Sequence, residues 1–334
     1  MSSSWSLWAA PWSRPLARPL TVGSVAGQST RDGLLIAVEQ GGRCGIADAA
    51  PLPGLSTESI DDVLDGLRRF AGLSWSTLQD PIALQGLLPG LPSLAWALSA
   101  AAAESLEPWS RPTVASAVLV DYGDVPGAMP ESATIKLKVG RRSLDDDIKT
   151  VLAWRQQQPS ARLRLDGNRR LSVSAAVAIA EAAGAALAFF EEPTPLADVA
   201  SLPAWLPLAL DETLDDEASR ADALAGLHRA VAWVVKPTVL GPCQTATIIS
   251  RARTMGVDVV ISSAFDSSVG RRSLVRLAAA AAPTMVHGLG TRRALGRDLD
   301  VRGGAVVIEV DGQATVGDPV GRQDLLGVSF ERVR

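Results

Sequence analysis

From Thr113 onward the chain repeats one pattern: a short apolar run, a polar or charged residue at its end, then a longer stretch with helical spacing. The runs predict eight strands, at residues 114–120, 134–139, 162–166, 186–191, 206–211, 232–236, 258–263 and 284–289. Continuous rather than alternating apolar runs mark strands buried on both faces, as in parallel sheets covered by helices. Eight such units in succession predict a closed (β/α)8-type, TIM-like barrel. An open doubly wound sheet uses the same units but carries a Gly-rich phosphate turn after its first strand. None follows residues 114–120, and Gly288-Leu289-Gly290 lacks the third glycine and comes late in the chain.

The first 110 residues have a different texture. Residues 34–39 read as a strand followed by a turn at Gly41-Gly42, and residues 49–54 as a loop. Residues 56–70 read as a helix, with Ser56 as its cap and Glu58, Asp61 and Asp62 at the positive end of its dipole. Ser93 opens an Ala-rich helix reaching about Ala103. The expected organisation is an α+β capping domain of residues 1–110, completed by a tail (304–334) with a strand-like run at 305–310, and a barrel of residues 111–303. Trp5, Trp8 and Trp12 stand at helix-like spacing and are read as packing residues.

Composition narrows the function classes. Lys plus Arg (32) nearly balances Asp plus Glu (36), a net charge of −4, so no field of one sign supports nucleic-acid or membrane-surface binding. The two cysteines, Cys44 and Cys243, make neither a disulfide framework nor a CxxC zinc site, and a reduced cytoplasmic setting is expected. The first twenty residues lack a basic n-region, and Pro11 interrupts their apolar stretch, so they do not read as a secretory leader. The most membrane-like stretch, 175–190, contains Glu181 and Gly184 and is shorter than the ~20 apolar residues a span needs.

The chemistry lies in the residues that end the strands. Lys138, Asp166, Glu191, Asp211 and Lys236 close five consecutive strands, 20 to 28 residues apart, about one βα unit each. In a barrel these ends converge on one mouth, where barrel enzymes keep their chemistry. Singly, each carboxylate has an ordinary reading, as a helix cap or a salt-bridge partner. Three on adjacent strands repel one another unless a cation joins them, and oxygen-only ligands favour Mg²⁺ or Mn²⁺ over zinc. Lys136 and Lys138, two apart on one strand, face the same way. Turned inward they meet the carboxylates, either as plain counter-ions or with Lys138 as a base whose pKa Lys136 lowers. Lys236 reaches the opposite side of the mouth, as an active group or as an ion pair with Asp211 or Glu212. Asn168, Ser262, Ser263, Gly288 and Gly290 are candidate substrate contacts, though turns and loops use the same residue types. His228 and His287 have no acidic partner at a telling spacing and read as structural.

Taken in order, K-L-K (136–138), L-D-G-N (165–168), F-E-E-P (190–193), L-D-E-T (210–213) and V-K-P-T (235–238) resemble the enolase superfamily, in its muconate-lactonizing-enzyme subgroup. The L-P-G-L-S-T-E-S stretch (52–59) is similar to that family's capping domain. Two lysines across the mouth point away from the mandelate-racemase type, with its His–Asp dyad. The segments at 262–270 and 287–291 look most like the o-succinylbenzoate synthase family. The resemblance implies a modified (β/α)7β barrel, and Mg²⁺, with Mn²⁺ as a substitute, on Asp166, Glu191 and Asp211. It implies a small carboxylate substrate, Lys138 as the base, Lys236 as the cation opposite, and dehydration through an ene-diolate in menaquinone synthesis. N-succinylamino acid racemase, dipeptide epimerase and muconate-type cycloisomerase are the alternatives within the subgroup. A Schiff-base aldolase barrel using Lys138 or Lys236 is a remote one, opposed by the three acidic strand ends, and a non-catalytic binding barrel is a third class. Two departures stand out: D-G-N at 166–168 where D-A-N is frequent, and A-D-A-A at 47–50 where G-E-x-A is usual.

Overall fold

A computed structural model describes residues 5–69, 73–107, 110–120, 133–226, 229–299, 306–310, 312–317, 320–325 and 327–333. The N-terminal unit is an antiparallel sheet of β1 (Trp5–Val22), β2 (Val25–Gln40) and β3 (Arg43–Ala49). One face of it is covered by α1 (Ile60–Arg69), α2 (Trp75–Gln79), α3 (Pro81–Leu87) and α4 (Pro92–Leu106). Leu7, Leu34, Ile36 and Val38 of the sheet share a buried core with Val63, Leu84 and Leu98 of the helices.

Two expectations for this unit are corrected. The first helix begins at Ile60, with Ser59 as its cap. The Ser59 hydroxyl accepts from Asp62 N, and Asp62 in turn accepts from Ser59 N. Ser56 instead accepts from Leu52 N in the preceding turn, and Glu58 turns inward to accept from Ser93 N at the start of α4. Trp5, Trp8 and Trp12 lie on a strand, whose period of two sends Trp5 to one face and the other two to the opposite one. Trp5 packs on Trp75, Trp8 lies under the Arg322 guanidinium, and Trp12 Nε1 donates to Asp48.

The second unit is built on parallel strands: β4 (Thr113–Val120), β5 (Thr134–Lys138), β6 (Arg162–Asp166), β7 (Leu187–Glu191), β8 (Leu208–Leu210), β9 (Ala232–Val235), β10 (Asp258–Ile261) and β11 (Val286–Gly290). Each of β4 to β9 pairs in parallel with the next. β11 returns to pair with β4, and a Ser262–Gly288 bridge joins it to the end of β10. All eight predicted strands are present. β8 is shorter than expected, because Pro207 has no N–H for the ladder and Asp211 leaves extended geometry. Outside lie α5 (Leu144–Gln157), α6 (Val173–Ala183), α7 (Glu212–Asp215), α8 (Glu217–Leu224), α9 (Pro237–Met255) and α10 (Ser268–Ala281). Ser143, Ser172 and Ser267 cap three of them, each accepting from the third helical N–H. Alternation sorts the side chains: Ile135, Leu137, Leu163 and Leu165 meet the outer helices, while Phe189, Ala209, Val234 and Val260 form a second core.

The tail divides between the two units. The hairpin of β12 (Val307–Val310) and β13 (Gln313–Val316) joins the barrel sheet, pairing with β4 at Thr113–Ala115. That edge is open because β5 pairs only with Val118–Val120. β14 (Glu331–Arg332) pairs with β1 instead. A second joint lies at the kink of α9, where Gly241 (φ 76°) and Pro242 interrupt the helix. Gln85 of α3 donates to Leu240 O at 3.3 Å and accepts from Cys243 N at 3.0 Å, satisfying both groups that the kink releases. Gln85→Ala should therefore cost ~1–2 kcal/mol in a denaturant melt. An unchanged midpoint would show that water replaces the amide without loss.

Candidate active site

The strand register sets the height of each group. Lys138 pairs with Asp166, and Asp166 with Glu191, so three neighbouring strands end level. Asp211 and Lys236 immediately follow β8 and β9. All of these except Glu191 line one cavity of about 620 Å³, roofed by residues 17–23 of the β1–β2 hairpin and by Leu52, Gly54 and Leu55. Glu191 lies beneath Lys136 rather than on the cavity wall.

Lysine ammonium groups join the carboxylates. Lys136 Nζ bonds Glu191 and lies 3.0 Å from Asp166 Oδ2. Lys138 Nζ is farther out, 3.8 Å from Asp166 Oδ2 and 3.5 Å from Asn168 Oδ1. Lys236 Nζ bonds Asp211 and stands 2.9 Å from Asp215 Oδ2. Asp211 makes no side-chain cap to α7, and among the described residues the ion pairs of Asp166 are with Lys136 and Lys138 rather than with arginine. Among the described residues no three Asp, Glu, His or Cys side chains converge closely enough to hold an ion, since the lysines draw the carboxylates to themselves.

The charges are unevenly balanced. Burial works against the ammonium of Lys136, but Asp166, Glu191 and Asp211 together raise its pKa above the ordinary value. Asp166 is likewise buried, yet Lys136 and Lys138 pull it down to about 2. Glu191 is pushed up to about 7 by burial, with Asp166 and Asp211 adding to the rise. Lys138 moves the other way from Lys136: burial, then Lys136 and Arg141, lower its pKa, as a lysine acting as a base requires. Lys236 is raised despite burial, by Asp211, Asp215 and Glu212.

The predicted substrate contacts separate into two kinds. Asn168 sits in a left-handed turn (φ 43°), accepting from Lys138 and donating from Nδ2 to Glu212 at 2.8 Å, so it links two groups at the mouth. Ser262, Ser263, Gly288 and Gly290 line the cavity, and packing dictates the two glycines. A Cβ on Gly288 would come 2.7 Å from Ser262 Oγ, and one on Gly290 would come 2.5 Å from Ala117 O. The Ser263 hydroxyl is committed to Asp266 at 2.8 Å. The glycine of D-G-N has a similar cause: a Cβ on Gly167 would come 2.6 Å from the Pro193 backbone. Asp48 of A-D-A-A is buried, accepts from Trp12 Nε1 and from Ser267 N and Oγ, and is pushed up to about 6, mainly by burial.

Some residues escaped the strand-end pattern. Glu192 accepts from Asp211 N and Thr213 N, both at 2.9 Å, and from Arg169 Nε at 3.1 Å, which fixes the turn carrying Asp211. Arg31 is buried, and its guanidinium donates to the carbonyls of Ala50, Pro51, Ala264 and Phe265. It thus ties the roof loop to the loop after β10. Asp215 stands four residues after Asp211, one helical turn on, and that spacing was the signal available for it.

His287 is structural, as expected. Its Nδ1 accepts from Ile261 N at 3.0 Å, and its Nε2 lies 3.0 Å from Ala282 O. His228 lies outside the described residues. Burial, opposed by the Ala282 bond and aided by Arg164, lowers the His287 pKa to about 4. The folded state therefore keeps a neutral ring that the unfolded chain protonates below its ordinary value of 6.5. This stabilisation is intact above that value and is lost as pH falls toward 4, a change of ~3 kcal/mol. His287→Gln should flatten the pH dependence of the unfolding free energy by that amount between pH 7 and 4, and parallel curves for variant and parent would refute the assignment.

Comparisons with known proteins agree with this geometry. Residues 124–321 match the family "Enolase C-terminal domain-like", and residues 19–105 match "MenC, N-terminal domain". The o-succinylbenzoate synthase of Klebsiella pneumoniae (strain 342) is 32% identical over 276 residues, covering 78% of this chain and 83% of that protein. The structure of o-succinylbenzoate synthase from Thermosynechococcus elongatus, complexed with Mg, superposes with TM-score 0.68 at 20% identity, covering 86% of this chain and 93% of that one. The dipeptide epimerase of Methylococcus capsulatus, complexed with Mg and the dipeptide L-Arg-D-Lys, superposes with TM-score 0.76 at 18% identity, covering 97% and 99%. Among the described residues no helix is long and apolar enough to cross a membrane. These relationships make the chain an enzyme, a metal-dependent hydro-lyase acting on a small molecule. It belongs to the enolase superfamily, with the barrel and capping fold of the muconate-lactonizing-enzyme subgroup.

Proposed function

We propose that the chain is an o-succinylbenzoate synthase of menaquinone biosynthesis, acting in the cytoplasm. Its reaction is loss of water from a cyclohexadiene carboxylate that bears a hydroxyl and a succinyl chain. The observation that carries this reading is the 32% identity to a curated enzyme of that activity over 78% of the chain, joined to the MenC-type N-terminal match.

The donor set suits a divalent ion. Asp166, Glu191 and Asp211 are buried oxygen donors, and Glu191 is pushed up to about 7, first by burial and then by the neighbouring Asp166 and Asp211 carboxylates. These three residues would hold Mg²⁺, with Mn²⁺ as a substitute, and the ion would acidify the proton alpha to the substrate carboxylate. Lys138, the lysine with the lowered pKa, takes that proton. As an ammonium it then returns the proton to the departing hydroxyl on the same face, so the carbon–oxygen bond breaks and water leaves. Asn168 Oδ1 orients Lys138, and Lys236 holds positive charge on the other face. The roof formed by residues 17–23 excludes water.

A second reading, N-succinylamino acid racemisation, draws on the lysines flanking the mouth and on the likeness to a dipeptide epimerase. Purified protein with Mg²⁺ should form o-succinylbenzoate from the hydroxycyclohexadiene substrate. Racemisation of N-succinylamino acids without that product would replace the first reading with the second.

A further inference from the structure

Lys236 has two anionic partners where one would neutralise it. Its Nζ bonds Asp211, the proposed ion ligand, and also lies 2.9 Å from Asp215 Oδ2. Asp215 ends α7, one turn after Asp211, and its side chain is 9% exposed. It does not line the cavity, whereas Asp211 and Lys236 do. Its other oxygen, Oδ1, is buried and has no hydrogen-bond partner among the described residues. A carboxylate placed behind the mouth, with spare capacity and, among the described residues, one ion pair, to Lys236, can receive that cation whole.

We propose that Asp215 is a positioning residue that takes over Lys236 when Asp211 turns to a divalent ion. A buried ammonium left without a counter-charge is costly, so a lysine with one partner would compete with the ion for it. With Asp215 present, Lys236 gives up Asp211 and keeps a neutralising contact. Lys136 shares Asp166 and Glu191, both proposed ligands, and among the described residues it has no carboxylate partner outside that set. The exchange on the Lys236 side is therefore the one for which the fold supplies a separate acceptor. Asp215 also keeps the Lys236 ammonium at the cavity wall opposite Lys138.

The inference rests on Asp211 as an ion ligand, and it is tested by calorimetric titration of metal-free protein with Mg²⁺, without substrate. Asp215→Asn should bind Mg²⁺ about tenfold more weakly, the lower end of what outer-shell partners contribute. In a Lys236→Met background the competing cation is gone, and the same Asp215→Asn change should alter affinity by less than about twofold. Asp215→Glu, which keeps the charge, should restore binding to within about threefold of wild type and serves if the asparagine variant is poorly folded. Equal losses in both backgrounds would make Asp215 a general source of negative potential and overturn the proposal. So would an Asp215→Asn protein of lowered melting temperature with unchanged Mg²⁺ affinity, which marks a purely structural ion pair. Wild-type protein that takes up no Mg²⁺ would remove the ion-ligand reading itself, whereas normal wild-type binding with an unaffected variant removes this inference alone.

Discussion

Lys138→Ala should reduce formation of o-succinylbenzoate by on the order of 10³- to 10⁴-fold, because in the proposed mechanism one side chain is both the base and the acid. Lys138 is the member of the lysine pair whose pKa is lowered, and its side chain is more exposed than that of Lys136, which is occupied with Asp166 and Glu191. The fold should survive. Among the described residues Lys138 makes only a 3.8 Å pair with Asp166 and a 3.5 Å contact with Asn168, and its removal relieves repulsion from Lys136. The melting temperature and Mg²⁺ affinity should stay close to those of the parent while kcat collapses. A variant keeping a tenth of the parent's kcat would remove Lys138 from the mechanism, and a collapse in both stability and activity would make its role structural.

Stripping divalent ions with EDTA should abolish turnover, and added Mg²⁺ should restore it. Asp166→Asn should cost at least about 100-fold in activity at saturating Mg²⁺, a loss that more metal does not repair. This substitution also disturbs the apo protein. Asp166 is held ionised by Lys136 and Lys138, so its loss leaves Glu191, among the described residues, as the one carboxylate bonded to Lys136. Removing one partner of a buried charge pair costs ~3–5 kcal/mol, although the retained Glu191 contact places the expected loss at the low end. A denaturant melt and a Mg²⁺-dependent rate profile of the same preparation separate the two effects. Turnover that persists in EDTA would direct the search toward Schiff-base chemistry, which borohydride trapping on Lys138 or Lys236 would reveal.

The sequence by itself determined the architecture and the roster of charged groups at the mouth. A parallel strand buried on both faces reads as an unbroken apolar run, and the charged residue that ends it must sit where the barrel opens to water. That rule found Lys138, Asp166, Asp211 and Lys236, which line the cavity, and Glu191, which lies beneath Lys136, from local pattern alone. The same period-two logic placed Lys136 beside Lys138 on one face. Only the tertiary structure decided which group touches which. Lys136 rather than Lys138 carries Asp166 and Glu191, because cross-strand register and side-chain reach set that choice. Asp215 lies behind Lys236 because α7 turns once after Asp211, a bend fixed by Glu192 from the neighbouring strand end. Arg31 fastens the roof to a loop more than 200 residues away in sequence, and Gln85 completes a helix kink on the other unit. Such contacts join segments with no shared local pattern, so they exist only once the two units pack and buried donors and acceptors must find partners across the seam.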